Sequence, residues 1–299
     1  MGKREARGLR KALLWSGYAL ILLGILALLV RSIFLSLFIQ GKERINIISY
    51  KDTIAFYSLG NADRVSYLVY FAPDQKVFVP GGYRYYRFGA LGKLVLLDNK
   101  PQILKKAFSS ATSTFIDYYF YPNKPEVIYG RDTPSAVELP GFSDIFFART
   151  NASFIDRIYM YLKFRISKKS DYTTIKEIGK KEKGESIFKE DGFAKKYQGF
   201  FYQKTYRTEK QTVQIIYTKQ YKNALLISRI LEGNGIHVVD MSPGNFDQKS
   251  CSVAQDSKKY SRTARDLSRF FHCPLIRQKT KTSDIIFMLG KIEDEWEAE

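Results

Sequence analysis

The chain has 299 residues, and 48 Lys plus Arg against 30 Asp plus Glu give a formal charge of +18. A hydrophobic fraction of 45% with 15% aromatic residues excludes a wholly disordered chain, and a mean hydropathy of −0.26 excludes a polytopic membrane protein. Two cysteines, and two histidines (His237 and His272) far apart in sequence, exclude a disulfide-framework miniprotein, a four-cysteine zinc site and an H-E-x-x-H helix.

The first element is apolar. Nineteen residues from Ala12 to Val30 carry no charge, and after Arg31 the apolar character resumes from Ser32 to Ile39. A helix of that length crosses a hydrocarbon core of about 30 Å. It is longer than a secretory h-region and no A-x-A-like cleavage site follows, so the expectation is a transmembrane anchor over 12–39. Lys3, Arg4, Arg7, Arg10 and Lys11 precede it, while Arg31, Lys42 and Arg44 follow. The positive-inside rule therefore puts the tail 1–11 in the cytoplasm and the bulk outside, in a single-pass topology at the cell membrane.

Beyond the anchor, Ile45–Ser58 reads as extended. Arg64–Phe71 and Lys76–Val79 are β-rich and flank the Pro73-Asp74 turn signal, which predicts a hairpin between them. Leu94–Leu97 is a short apolar run, and Gln102–Thr112 has helical spacing through Ile103, Leu104, Ala107, Phe108 and Ala111. Phe115–Tyr121 reads as a strand, Pro122–Pro140 as a loop and Ser153–Ile166 as a helix. Between Lys168 and Lys222 there are fourteen Lys/Arg and seven Asp/Glu, so 167–211 is predicted to be a basic connector with a boundary at Gly179–Gly184.

The C-terminal pattern is strand (Thr212–Thr218), helix (Tyr221–Leu231, ended by Gly233 or Gly235), strand (Ile236–Asp240), strand (Ser250–Ala254), helix (Lys258–Phe271) and apolar central strand (Asp284–Leu289). This β-α-β-β-α-β order over 212–290 is a compact α/β (α+β) domain of the split type. The acidic tail 291–299 is expected to be solvated. In an exported chain Cys251 and Cys273 suggest one disulfide, two free buried thiols being the other possibility.

Several stretches resemble the LytR-CpsA-Psr family of bacterial envelope proteins. Val213–Tyr217, Ala224–Leu231, Gly235–Asp240, Ser261–Leu267 and Ser283–Gly290 are similar to the LytR C-terminal domain. Over 45–166, Asn61–Arg64 resembles the family's R-S-D-T segment, Lys76–Gly82 its I-P-R-D strand end, Phe115–Tyr121 its strand bearing Asp117 and Tyr119, and Asp156-Arg157 its helix start. The resemblance implies an α/β phosphotransferase that moves a lipid-pyrophosphate-linked glycopolymer onto peptidoglycan, with arginines clamping the pyrophosphate and carboxylates holding Mg²⁺. Here Asn61, Gly81 and Gly82 stand where that pattern has Arg, Arg and Asp. The sequence reading is therefore a degenerate, non-catalytic envelope domain without a cofactor, which binds or scaffolds the cell wall or anionic glycopolymers. Its enzyme alternative has Mg²⁺ and the residues Asp63, Asp156 and Arg157 as candidates. Arg84 and Arg87 for anionic groups, with Tyr83, Tyr85 and Tyr86 for sugar rings, are the binding candidates. No nucleic acid is expected as a partner, because only bulk charge favours it and no recognition motif does.

Overall fold

A computed structural model describes residues 3–130, 134, 136–175, 179–182, 185–245 and 250–298. Helix α1 (Lys3–Leu35) leads the chain, and its Trp15–Phe34 stretch is long and apolar enough to cross a membrane, with only Ser32 of it buried in the protein. A turn over 36–41 ends it, so the apolar character of Ser32–Ile39 is split between helix and turn. Next come β1 (Arg44–Tyr50), β2 (Ile54–Gly60), β3 (Ser66–Tyr70), β4 (Lys76–Val79), β5 (Arg84–Arg87), α2 (Leu91–Asp98), α3 (Gln102–Thr112) and β6 (Tyr118–Tyr121). The chain continues through α4 (Phe142–Phe146), β7 (Arg149–Thr150), α5 (Phe154–Ile166), β8 (Tyr172–Ile175), β9 (Gly179–Glu182), β10 (Glu185–Phe188), α6 (Glu190–Tyr197) and α7 (Lys204–Glu209). It closes with β11 (Thr212–Tyr217), α8 (Tyr221–Gly233), β12 (His237–Pro243), β13 (Ser252–Gln255), α9 (Arg262–Phe271), β14 (Leu275–Ile276), β15 (Ile285–Met288) and α10 (Ile292–Glu295).

These elements make a mixed α/β fold with three sheets. A six-stranded sheet runs β7-β6-β1-β2-β3-β8, a four-stranded one β5-β4-β10-β9, and a five-stranded one β12-β11-β15-β13-β14. The extended stretch after the anchor is in fact the antiparallel pair β1–β2, registered from Arg44↔Gly60 to Tyr50↔Ile54. The expected hairpin of β3 with β4 does not form. β3 pairs with β2 and β8, whereas β4 pairs with β5 and β10, because the Pro73-Asp74 turn carries the chain from one sheet to the next. Leu94–Leu97 belongs to helix α2, not to an isolated run.

The segment 167–211, read as a connector, supplies β8 to the first sheet, β9 and β10 to the second, and helices α6 and α7. Its aromatic residues explain this: Phe188, Phe193 and Phe201 are fully buried in a core shared with Phe71, Phe88 and Phe108. Residues 183–184 of its expected boundary lie outside the described residues.

The C-terminal order agrees with the split pattern, with the two-residue β14 added and β15 at the sheet's centre. Cys251 and Cys273 form a disulfide. The acidic tail is not all solvated: Trp296 is buried, and the buried Glu293 carboxylate accepts from the backbone N–H of Thr218, Lys219 and Gln220. It thereby satisfies the donors of the turn between β11 and α8, including the N-cap Gln220.

The C-terminal half is wired tightly to the rest. Asn234 Oδ1 accepts from Thr114 Oγ1 at 2.9 Å and from Phe115 N at 3.2 Å. Gln203 bonds both backbone groups of Arg44, at 3.1 and 2.6 Å. At Gly233 an added Cβ would lie 1.7 Å from the Ser113 carbonyl, so only glycine permits this approach.

Candidate functional site

Two polar centres lie around the turn that ends α1, one closed and one open. The closed centre is Asp156, in the first turn of α5 and fully buried. The Ser153 side chain caps the helix by accepting from Asp156 N at 3.2 Å. The Asp156 carboxylate accepts from Ser36 Oγ (2.8 Å), Phe38 N (3.3 Å), Tyr118 Oη (2.6 Å) and Ser153 Oγ (2.6 Å). Burial, and then the adjacent carboxylate, push the Tyr118 phenol well above its ordinary pKa, so it stays a donor. All four partners hold this anion in place, and together they tie the end of α1 to α5 and β6.

The open centre is a cleft of about 490 Å³ directly in front of that clamp. Leu37 and Lys42 enter from the turn after α1, Gln102 and Lys105 from α3, and Phe115 to Tyr118 from the approach to β6. Asn151 to Ser153 and, from α9 and its cap, Asp266, Arg269, Phe270 and His272 complete the wall. Arg262 and Arg269 of α9 reach back to Gln40, the first to its carbonyl at 2.8 Å and the second to its side chain. The cleft thus sits between the two halves of the protein, at the foot of the apolar helix.

Its charges are arranged unevenly. The buried Asp117 carboxylate is paired with Lys42 and accepts from Asn46 N at 2.9 Å. Burial raises its pKa and Lys42 opposes that rise. Asp266 takes Arg262 at 3.0 Å, Arg269 at 3.7 Å and Tyr206 Oη at 2.9 Å. Lys105 differs: among the described residues its ammonium meets no carboxylate, but donates to the Phe270 carbonyl at 2.9 Å and lies 3.8 Å from the centre of the Phe270 ring. Burial lowers its pKa to about 8, with Asp117 opposing, so at neutral pH it is mostly an under-compensated cation. His272 caps α9 in the left-handed conformation (φ 56°) and is held low in pKa by burial and then by Lys105, so it faces the cleft uncharged.

The residues singled out from the sequence do not converge. Asp156 lies behind the cleft wall, and Arg157 turns away to the carbonyls of Ile145 and Phe146 at 3.4 and 3.0 Å. Asp63 sits in the turn after β2, where it pairs with Arg44 and accepts from Val65 N. Arg84 and Arg87 are exposed on β5, Tyr83 donates to Asp98, Tyr85 is half-exposed against Phe78, and Tyr86 packs on the core. That hairpin contributes no residue to the cleft.

Lys105, Arg269 and His272 were not singled out from the sequence. The only signal was the pair Lys105-Lys106 between apolar positions of α3, and basic residues closing the second C-terminal helix. The Mg²⁺ that the resemblance implies does not fit this donor set. Both cleft carboxylates are committed to cations, and no group of three His, Cys, Asp or Glu side chains converges among the described residues.

No family model matches the chain, and no curated protein matches it. Among solved structures, B. subtilis TagT is 12% identical and covers 52% of this chain and 88% of that one, with a TM-score of 0.35. B. subtilis TagV is 10% identical over 54% and 98%, with a TM-score of 0.36. TagT bound to LI-WTA is 13% identical over 50% and 85%, with a TM-score of 0.33. Overlaps of this size transfer no residue role.

Proposed function

We propose that this chain is a membrane-anchored, exported envelope protein that binds the phosphate or pyrophosphate part of a membrane-linked anionic glycopolymer in the cleft, without catalysing its transfer. One observation carries this reading: Lys105, a half-desolvated cation that meets no carboxylate among the described residues, opens into a cleft whose far wall is the turn leaving the apolar helix. A desolvated ammonium gains more from an incoming anion than a solvated one does. Arg269 adds a guanidinium at the rim, while Phe115, Ile116 and Phe270 offer an apolar floor. The substrate class comes from the sequence resemblance and from the +18 charge of a chain read as exported. The committed carboxylates favour binding over metal-assisted transfer.

The test is calorimetric titration of inorganic pyrophosphate into the full chain in lipid nanodiscs, with and without Mg²⁺. Binding should occur without the metal and should weaken about tenfold in Lys105→Met, the scale of one hydrogen bond to a charged group. Equal affinity in the parent and in Lys105→Met would overturn the cleft as the site. Affinity for pyrophosphate that appears only with Mg²⁺ would favour the metal-assisted transfer reading instead.

A further inference from the structure

We infer that α5 lies in the membrane interface beside α1, with one face sunk among the lipids of the leaflet from which α1 emerges. This rests on the reading of α1 as a bilayer-spanning helix, and it goes beyond the binding cleft.

The face is plain in the sequence of α5. Phe154, Ile158, Leu162 and Ile166 recur every fourth residue and are respectively 55%, 38%, 49% and 79% exposed. At about 100° per residue they form one stripe. The opposite stripe, Asp156, Met160 and Phe164, is buried against the first sheet. A helix docked on a soluble body should be polar where this one is apolar. Phe142 and Phe147 extend the stripe; both are exposed, and Phe142 stands edge-on to Tyr161 at 5.6 Å.

What covers this face is set by where the helix begins. Ile155 N donates to Ser32 Oγ at 3.3 Å, and Ser32 lies within the Trp15–Phe34 membrane-length segment. Ser36 and Phe38 are held by Asp156, and Phe38 stacks on Tyr159 with ring centres 3.9 Å apart. The first turn of α5 is therefore fixed against the last turn of the apolar segment, at the edge of the hydrocarbon region. The end of the apolar segment of α1 thus touches the helix that carries the exposed stripe. Charge completes the match: Arg165, Lys168 and Lys169 are exposed at the far end, placed to meet anionic headgroups. The occupant is a lipid surface, not a protein.

Fluorescence of the full chain in vesicles tests this. The chain has two tryptophans, Trp15 in α1 and the buried Trp296. In a Trp15→Phe background, Leu162→Trp adds a reporter on the stripe, and Trp15→Phe alone gives the baseline. Leu162→Trp should emit at shorter wavelength and be quenched by lipids brominated close to the headgroup, more than by lipids brominated near the tail. That depth corresponds to roughly 5–10 Å of burial at the headgroup boundary. If Trp15 of the parent is quenched while Leu162→Trp stays at baseline, α1 is in the bilayer and α5 is not, which overturns the inference alone. If Trp15 is itself unquenched by any brominated lipid, the anchor reading fails and the inference falls with it.

Discussion

The Asp156 clamp and the Lys105 cleft are neighbours that share a wall, yet they handle buried charge in opposite ways. Asp156 is an anion with every acceptor position used, by Ser36, Phe38, Tyr118 and Ser153. Lys105 is a cation with a carbonyl and a ring in place of a carboxylate. A buried charge whose partners are all supplied by the chain holds structure; one left short of partners at a concave opening is available to a ligand. The sequence points to Asp156 and not to Lys105, so what separates the two is the count of partners that the fold supplies and not chemical type.

The largest way to break this comparison is Asp156→Ala. Four donors would lose their acceptor in a buried site, and the loss should be roughly 3–5 kcal/mol of unfolding free energy, read from urea denaturation. Asp156→Asn, which keeps the shape, should lose less. If Asp156→Ala instead left stability intact and abolished pyrophosphate binding, the clamp would belong to the site and the contrast would dissolve.

Second in size is the bridge at Cys251–Cys273, which closes a separation of 22 residues next to the α9 wall of the cleft. Cys251→Ser with Cys273→Ser should cost about 3 kcal/mol by the chain-entropy account. Pyrophosphate affinity measured below the new unfolding transition should change little, because neither sulfur lines the cleft.

How much of this was legible beforehand differs by region. In the C-terminal half, helix spacing and the glycines at the end of α8 mark the elements within a few residues, because α8 and α9 are amphipathic helices whose period is local. In the first sheet β1 pairs with β6 across about 70 residues, and β3 with β8 across more than 100. Such pairing leaves no local period to read. Asp156 and Arg157 stand out by resemblance, but the carbonyls that consume Arg157 and, apart from the local cap Ser153, the hydroxyls that consume Asp156 come from other elements of the chain. Lys105 was invisible because a lysine on the flank of an amphipathic helix ordinarily reaches solvent; here α9 and Phe270 cover it.

A third, smaller effect separates the two centres by pH. The Lys105 pKa is lowered to about 8 from 10.5, so pyrophosphate affinity should be flat to neutrality and fall above pH 8, by at most tenfold per unit. Stability should move the other way. Between about pH 8 and 10.5 the unfolded chain keeps a proton that the folded one has lost, so this group's contribution rises with pH across that window. Lys105→Met should abolish both slopes. Parallel slopes, or slopes unchanged in the variant, would assign the titration to another group.

The smallest expected effect concerns the β4–β5 hairpin, where the sequence placed its basic and aromatic binding residues. Arg87 is exposed and lies outside the cleft, in full solvent screening. If the hairpin touches a long polymer only as part of a diffuse positive surface, Arg87→Ser should weaken binding to purified anionic wall polymer by about twofold and only at low salt. It should leave pyrophosphate affinity unchanged, because that probe is small enough to be held in the cleft alone. A loss that persists at high salt, or that extends to pyrophosphate, would move the recognition centre from the cleft to the hairpin and reverse the assignment made from the partner counts.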